Sequence, residues 1–325
     1  MKHPPLFSQP LHAQACGKLI LIGEHAVVYG HPAIALSLPQ LHLDIHSTLK
    51  DPSSNPILWE TQMPLSEEER HKMDAAFVLC LNLFATEVSS KKGIEDVLKE
   101  NPPLLKMRSS LPLGAGLGGS AAFSIALTRL CAQAFGVQLT RSMTQHYAQQ
   151  LEFIFHHAPS GIDIEAILAE APIFFQKNKS VRPIPFFPSC WIVLIDTQER
   201  TPTCIMIDKV QQHLTRNPKD HQHLDSIGSL VQNVAAALEE QNLECVGAYL
   251  TQAHEHLRIF DISTPALDRA VKALRDNGAL GAKLTGGGGG GIAFGLFLHQ
   301  PNILPFDKYG NVLLLNFMKE PCRNL

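Results

Sequence analysis

The sequence predicts an α+β protein of two domains, residues 1–187 and 188–325, and three observations carry that expectation. Short apolar runs bounded by glycine or proline, at 18–22, 33–38, 190–196 and 292–298, read as buried strands. Longer stretches with apolar residues every three or four positions, at 66–88, 118–135, 141–155 and 203–276, read as helices. The proline-rich Arg182-Pro-Ile-Pro-Phe-Phe-Pro188 separates the two groups and marks the boundary.

Composition supports a sizeable core. The 325 residues are 45% hydrophobic and 18% charged, a globular profile with length enough for two domains. A formal net charge of −3 and the absence of any run of four Lys/Arg leave no basic field for nucleic acid. Seven scattered cysteines without C-x-x-C indicate neither a disulfide frame nor a zinc knuckle, which fits a reducing cytoplasm. Neither a signal-peptide core nor an apolar span of membrane length is expected. Among sixteen histidines the pair His156-His157 stands out, but no H-E-x-x-H occurs, histidines without a ligand role are far commoner, and transition-metal binding is not expected.

Taken in order, Lys18-Leu-Ile-Leu-Ile22 is a strand between Gly17 and Gly23, followed by Glu24-His25. After the turn at Gly30-His-Pro32, residues 33–38 and the alternating Leu41, Leu43 and Ile45 continue as sheet. Ser66-x-x-Glu69 has the spacing of a capping box, and Met73, Phe77, Cys80, Leu81 and Phe84 then share one helical face. Residues 91–103 are charged and proline-bounded and read as a connection; 104–108 is a short strand.

Leu111-Pro-Leu-Gly-Ala-Gly-Leu-Gly-Gly-Ser-Ala-Ala122 opens a helix. Unpartnered N–H groups and the helix dipole make such a start an anion trap, and glycines let phosphate oxygens reach the main chain. A flexible packing turn is the plainer reading of the same letters. Neither common phosphate loop fits: no acid lies near 139–141 for a ribose, and Ser120 stands where a Walker lysine belongs. Ser160-Gly-Ile-Asp163 places an acid on a turn after the helix at 141–155, although the spacing also suits a simple helix start. Helical segments then break near 217–218, 241–242 and 264–265. Six glycines, Gly286 to Gly291, precede the strand at 292–298. So costly a run hard against a core strand implies close approach of another backbone or a ligand, rather than a linker.

Three motifs thus stand in fixed order: Lys18…Gly23-Glu-His25, then Pro112-Leu-Gly-Ala-Gly-Leu-Gly-Gly-Ser-Ala-Ala122, then Lys283-Leu-Thr-Gly-Gly-Gly-Gly-Gly-Gly291. The set resembles the GHMP small-molecule kinases, and the flanks Gly23-Glu-His-Ala-Val-Val-Tyr-Gly30 and His157-Ala-Pro-Ser-Gly-Ile-Asp163 resemble the branch whose substrate is mevalonate. Galactokinases usually continue the first motif with Thr-Asp, and homoserine kinases lack its histidine.

The resemblance implies an α+β two-domain GHMP kinase fold: a ribosomal-protein-S5-like, nucleotide-binding and catalytic domain at 1–187, and a ferredoxin-like domain at 188–325. It also implies transfer of the ATP γ-phosphoryl group to the 5-hydroxyl of mevalonate, the first commitment of that alcohol to isoprenoid precursors. Pro112, Gly114, Ala115, Gly116, Leu117, Gly118, Gly119, Ser120 and Ala121 would wrap the triphosphate. Ser120 and Glu152 would hold Mg²⁺, which prefers such hard oxygens. Asp163 falls on the acid facing the hydroxyl and Lys18 on the lysine beside it. Glu24, His25, Thr203, Gly287 and Gly288 fall on the mevalonate side.

By residue type alone, Lys18 reads as a surface strand-edge lysine and Glu152 as a solvated helix acid paired with His156. The chain departs from the family at Gly119, where the first of two serines usually stands, at His157, usually glycine, and at Ile164, usually asparagine. A cytoplasmic enzyme acting on a small molecule, in a family that is often dimeric, is the resulting expectation. Two other readings stand beside it: a sibling kinase acting on phosphomevalonate, homoserine or a sugar, and a catalytically silent nucleotide-binding sensor.

Overall fold

The computed structural model of the chain describes residues 6–7, 9–49, 58–62, 65–87, 103–156, 160–169, 171–184 and 188–317. The connection expected at 91–103 lies outside the described residues except for Pro103, as does His157. Two compact units interleave along the sequence. The first comprises residues 1–17, 41–111 and 118–168, the second 18–40, 112–117 and 169–325. The expected boundary after residue 187 falls inside the second unit's last segment.

In the first unit, β1 (Leu11–Ile22) contributes its opening residues and β2 (Ala33–Leu49) its closing ones. Leu43 to Leu49 pair antiparallel with β4 (Pro103–Ser109), which pairs in parallel with β3 (Leu58–Thr61). The β2 burial alternates strictly from Leu41 to Thr48, as a strand with one face on a core demands. Helix α1 (Glu67–Glu87) begins on the expected capping box: Ser66 N donates to Glu69 Oε2 at 2.8 Å and Glu69 N donates to Ser66 Oγ at 3.2 Å. Its buried face contains Met73, Phe77, Cys80, Leu81 and Phe84, the stripe read from the sequence, together with Ala76.

Helix α2 (Gly119–Phe135) buries an unbroken run from Ala121 to Thr128, the pattern of a helix covered on all sides. It stops at Gly136 in the left-handed region, whose N–H returns to Ala132 and Gln133. Helix α3 (Arg141–Phe155) starts on the Thr140 hydroxyl, which accepts from Met143 N, and α4 (Ile162–Ala169) carries Asp163 in its first turn.

In the second unit, β2 residues 33–35 pair with β5 (Ile173–Phe175), which pairs with β6 (Arg182–Pro183). A second sheet is wholly antiparallel, in the order β10 (Asn311–Phe317), β7 (Cys190–Asp196), β9 (Ile292–Phe297), β8 (Gly281–Thr285). Strands β7 and β8 therefore run parallel with β9 inserted between them, the split βαβ arrangement of a ferredoxin-like sheet. Its first crossover is enlarged to four helices, α5 (Thr203–Arg216), α6 (His221–Glu239), α7 (Leu243–Arg258) and α8 (Pro265–Asp276), with breaks where proline and asparagine predicted them.

Helix α7 lies directly on β8. A Cβ at Gly281 would overlap the carbonyl oxygen of Gly247, so the two backbones touch because neither residue has a side chain. Gly281→Ala should cost about 3 kcal/mol, the upper range for overpacking a rigid backbone contact, measured as a fall in the urea midpoint at unchanged m-value.

Candidate active site

The end of β1 leads directly into the first motif. Gly23 has φ of +108°, and a Cβ there would lie 2.5 Å from that of Ala33, so only glycine serves. His25 follows with φ 58° and ψ −48°, and Ala26 N donates to Glu24 O at 2.6 Å. This is a γ-turn of the positive-φ kind, a strained geometry that survives only where surroundings enforce it. His25 Nε2–H donates to Gly287 O at 2.9 Å, a contact that holds the turn. Burial keeps the His25 imidazole below its ordinary value, against the opposing pull of that carbonyl, so the ring is neutral near pH 7.

Lys18 is not a surface lysine. It is 2% exposed, its backbone N donates to Leu117 O at 3.0 Å, and its Nζ donates to Gly116 O at 3.1 Å. A buried ammonium therefore rests on the carbonyl side of the glycine loop. Gly114, Gly116 and Gly118 have φ of +68°, +91° and +75°, and Gly118 caps α2 without a side-chain contact, leaving the first-turn amides to main-chain chemistry. Arg200 secures the loop's entry: its Nε donates to Leu113 O at 3.2 Å while its two terminal nitrogens grip both Asp196 oxygens at 2.7 Å.

The six-glycine run is enclosed by other main chain. A Cβ at Gly286 would lie 2.9 Å from Gly116 Cα, and one at Gly291 would lie 2.9 Å from Ala115 O. Gly289 N donates to Ile262 O and Gly291 N donates to Glu199 O. The close-approach reading holds, and the partner seen is backbone. Thr203 opens α5 and is exposed; a Cβ on Gly287 would be 3.1 Å from its methyl. Gly114, Gly116, Thr201, Thr203, Gly287 and Gly288 are among the residues lining one crevice of the second unit.

Sequence reasoning passed over the group behind Glu24. Lys283, fully buried on β8, forms an ion pair with Glu24 Oε1 and donates to Leu284 O at 2.6 Å, with its ammonium over the Phe294 ring. Glu24 is 1% exposed, and its Oε2 has no hydrogen-bond partner among the described residues. Burial pushes Glu24 up and Lys283 down, each against the attraction of the other. The signal in the sequence was a lysine inside a strand that is buried at every position.

His254 on α7 lies beyond Lys283, 3.5 Å from Asp268. Burial, and then the charge of Lys283, bring its imidazole down to about 4. Because that folded value lies below the ordinary one, the unfolded chain takes up the proton first as pH falls. Stability is therefore full above about pH 6.5 and is lost between there and about pH 4. At about 1.4 kcal/mol per pKa unit the loss should approach about 3 kcal/mol. Urea midpoints between pH 7.5 and 4 should fall in the parent and flatten in His254→Gln.

In the first unit, Glu152 is 3% exposed, which corrects its reading as a solvated acid. Ser124 Oγ donates to its Oε1 at 3.0 Å and Ser120 Oγ to its Oε2 at 3.3 Å, while His156 stands 3.9 Å away. Ser120 Oγ is also 3.0 Å from His156 Nε2. A carboxylate and a hydroxyl at the start of α2 form a hard-oxygen donor set that fits Mg²⁺. Asp163 is half-buried at the second position of α4, and Gly161 before it has φ of +84°. Ile164 is buried, so the departure at that position serves the core. Gly119 is the first residue of α2.

Known proteins place this geometry. The family model "GHMP kinases N terminal domain" matches residues 71–170 and "GHMP kinases C terminal" matches 234–304. A mevalonate kinase of Thermococcus gammatolerans is 30% identical over 302 residues, covering 87% of this chain and 88% of that protein. The chain belongs to the GHMP kinase family, in its mevalonate kinase branch. A mevalonate kinase of Pyrococcus furiosus is 29% identical over 310 residues with the same coverage. Among solved structures, L. major mevalonate kinase in complex with R-mevalonate superposes with a TM-score of 0.78 at 23% identity, over 95% of this kinase and 94% of that chain, a likeness of fold. The Staphylococcus aureus mevalonate kinase gives 0.71 at 25% identity, over 95% and 99%. The family-model matches lie on either side of residue 187. No helix among the described residues of the kinase is long and apolar enough to cross a membrane.

Proposed function

We propose that this kinase transfers the γ-phosphoryl group of ATP to the 5-hydroxyl of mevalonate. The observation that carries the reading furthest is the buried Lys18 ammonium seated on Gly116 O, in a loop whose glycines bare its main chain. Relatives named mevalonate kinase that match 87% of the chain support the choice of alcohol.

Phosphoryl transfer asks little covalent work of a protein, so positioning and electrostatics dominate. Main-chain amides of residues 114–120 bind the triphosphate at the start of α2, with Pro112 and Ala121 bordering the loop. Ser120 and Glu152 would hold Mg²⁺, which would supply charge neutralisation to the phosphates. Lys18 stabilises charge on the transferring group. Asp163 orients the alcohol and accepts its proton at a carboxylate oxygen. Glu24, through an Oε2 that has no partner among the described residues, and His25, Thr203, Gly287 and Gly288 orient the mevalonate. Residues 1–187 carry the nucleotide and the catalytic acid in this reading, and residues 188–325 complete the substrate side. A cytoplasmic homodimer belongs to the same reading, and light scattering at micromolar concentration checks the dimer.

Product analysis tests the reaction. With MgATP and mevalonate, the ³¹P spectrum should gain a phosphomonoester resonance coupled to the two C5 methylene protons. ADP formation without that resonance, or a phosphate on another oxygen, would overturn the assignment.

A further inference from the structure

On the first unit, four titratable side chains that the kinase reading does not use converge across two adjacent strands. Alternate residues His42, Asp44 and His46 project from one face of β2, and His12 reaches them from β1. His12 Nε2 lies 2.8 Å from Asp44 Oδ1, the His12 and His46 rings stack with centroids 4.2 Å apart, and one ligand atom from each of His12, Asp44 and His46 lies within 4.8 Å of the others. His42 Nε2 stands 3.3 Å from Asp44 Oδ2 on the other side of the carboxylate.

We propose that His12, Asp44 and His46 form a binding site for a divalent transition metal, Zn²⁺ by ligand chemistry, that clips β1 to β2. Two imidazoles and a carboxylate suit a borderline cation and not Mg²⁺, whose partners are oxygens and water. Bonds of about 2.0 Å in a tetrahedron put ligand atoms about 3.3 Å apart. The exposed His12 ring and the half-buried His46 ring close that gap by side-chain rotation, with no change of backbone. His42 orients Asp44 from behind, the outer support that metal-bound carboxylates commonly have.

Two cations share the face without blocking it. Lys106, opposite His46 in register, is turned to Glu60 at 2.8 Å, and Arg108 lies opposite Asp44. The β1 backbone is anchored beside the site, where Gln133 Nε2 donates to His12 O at 2.9 Å. The sequence carries the signal as His42-x-Asp44-x-His46 in a strand, a period of two that a search for helical H-E-x-x-H misses.

The experiment titrates Zn²⁺ into full-length, tag-free protein stripped of metal, by calorimetry and by thermal unfolding. One equivalent should bind and raise the unfolding temperature. His12→Gln, Asp44→Asn and His46→Gln should each weaken binding at least tenfold, and His42→Gln less. Should the variants on β2 fail to fold, His12→Gln decides alone, because that side chain is exposed. Co²⁺ in place of Zn²⁺ should show d–d bands without a thiolate charge-transfer band. No saturable Zn²⁺ binding by the parent, unaltered affinity in His12→Gln, or a thiolate band would each overturn the site.

Discussion

Asp163→Asn is expected to lower kcat by 10² to 10⁴ while leaving the KM for ATP within a few-fold, the signature of an interaction made only in the transition state. The magnitude follows from the acid's assigned task. An amide keeps the shape and a hydrogen-bonding oxygen but takes up no proton, so the hydroxyl stays oriented and loses its base. Asp163 sits at the second position of a short helix whose other first-turn neighbours, Ile162 and Ile164, are buried. The backbone there is fixed by packing, and the substitution should leave the unfolding midpoint close to the parent's. Turnover within a few-fold of the parent would show that another group takes the proton.

Lys283→Met is expected to act on fold and site together. It removes the cation from a carboxylate that is 1% exposed, and stranding one member of a buried pair costs about 3–5 kcal/mol. Freed of Lys283, Glu24 is pushed further up by burial, against only a backbone hydrogen bond and the charge of Lys18. A Glu24 that has lost the partner holding its Oε1 should raise the KM for mevalonate at least tenfold, with a smaller effect on ATP. The double variant Glu24→Gln/Lys283→Met should regain most of the stability, because nothing charged is left buried, but none of the lost mevalonate affinity. Recovery of both together would reduce the pair to a packing role. A single variant as stable as the parent would show that Lys283 does not support Glu24.

The secondary structure was legible where local chemistry decides it. The Ser66–Glu69 box starts α1 where its spacing said, and the four helices between 203 and 276 break at Asn217-Pro218, near Gln241-Asn242 and at Thr264-Pro265. Strands whose residues alternate poorly were harder. β10 is only half-covered along most of its length, and β8, Gly-Ala-Lys-Leu-Thr, holds a lysine that breaks the apolar run.

The glycine motifs, Lys18, Glu24 and His25 could be found in the sequence, but not how they are held. Lys18 meets Gly116 across 98 positions, and Lys283 meets Glu24 across 259. No local rule predicts a buried partner at such a distance. The two readings corrected by the structure, Lys18 as a surface lysine and Glu152 as a solvated acid, fail for one reason. Exposure was judged from residue type, and both side chains are buried beside groups that satisfy them: Gly116 O for the lysine, the Ser120 and Ser124 hydroxyls for the acid.

The measurement that bears most directly on the account is kcat/KM for ADP release with MgATP and each of mevalonate, phosphomevalonate, homoserine and galactose. Mevalonate should exceed every other alcohol by at least a hundredfold, and Lys18→Met should abolish that rate. Preference for a different alcohol, or tight ATP binding without turnover of any of them, would contradict it.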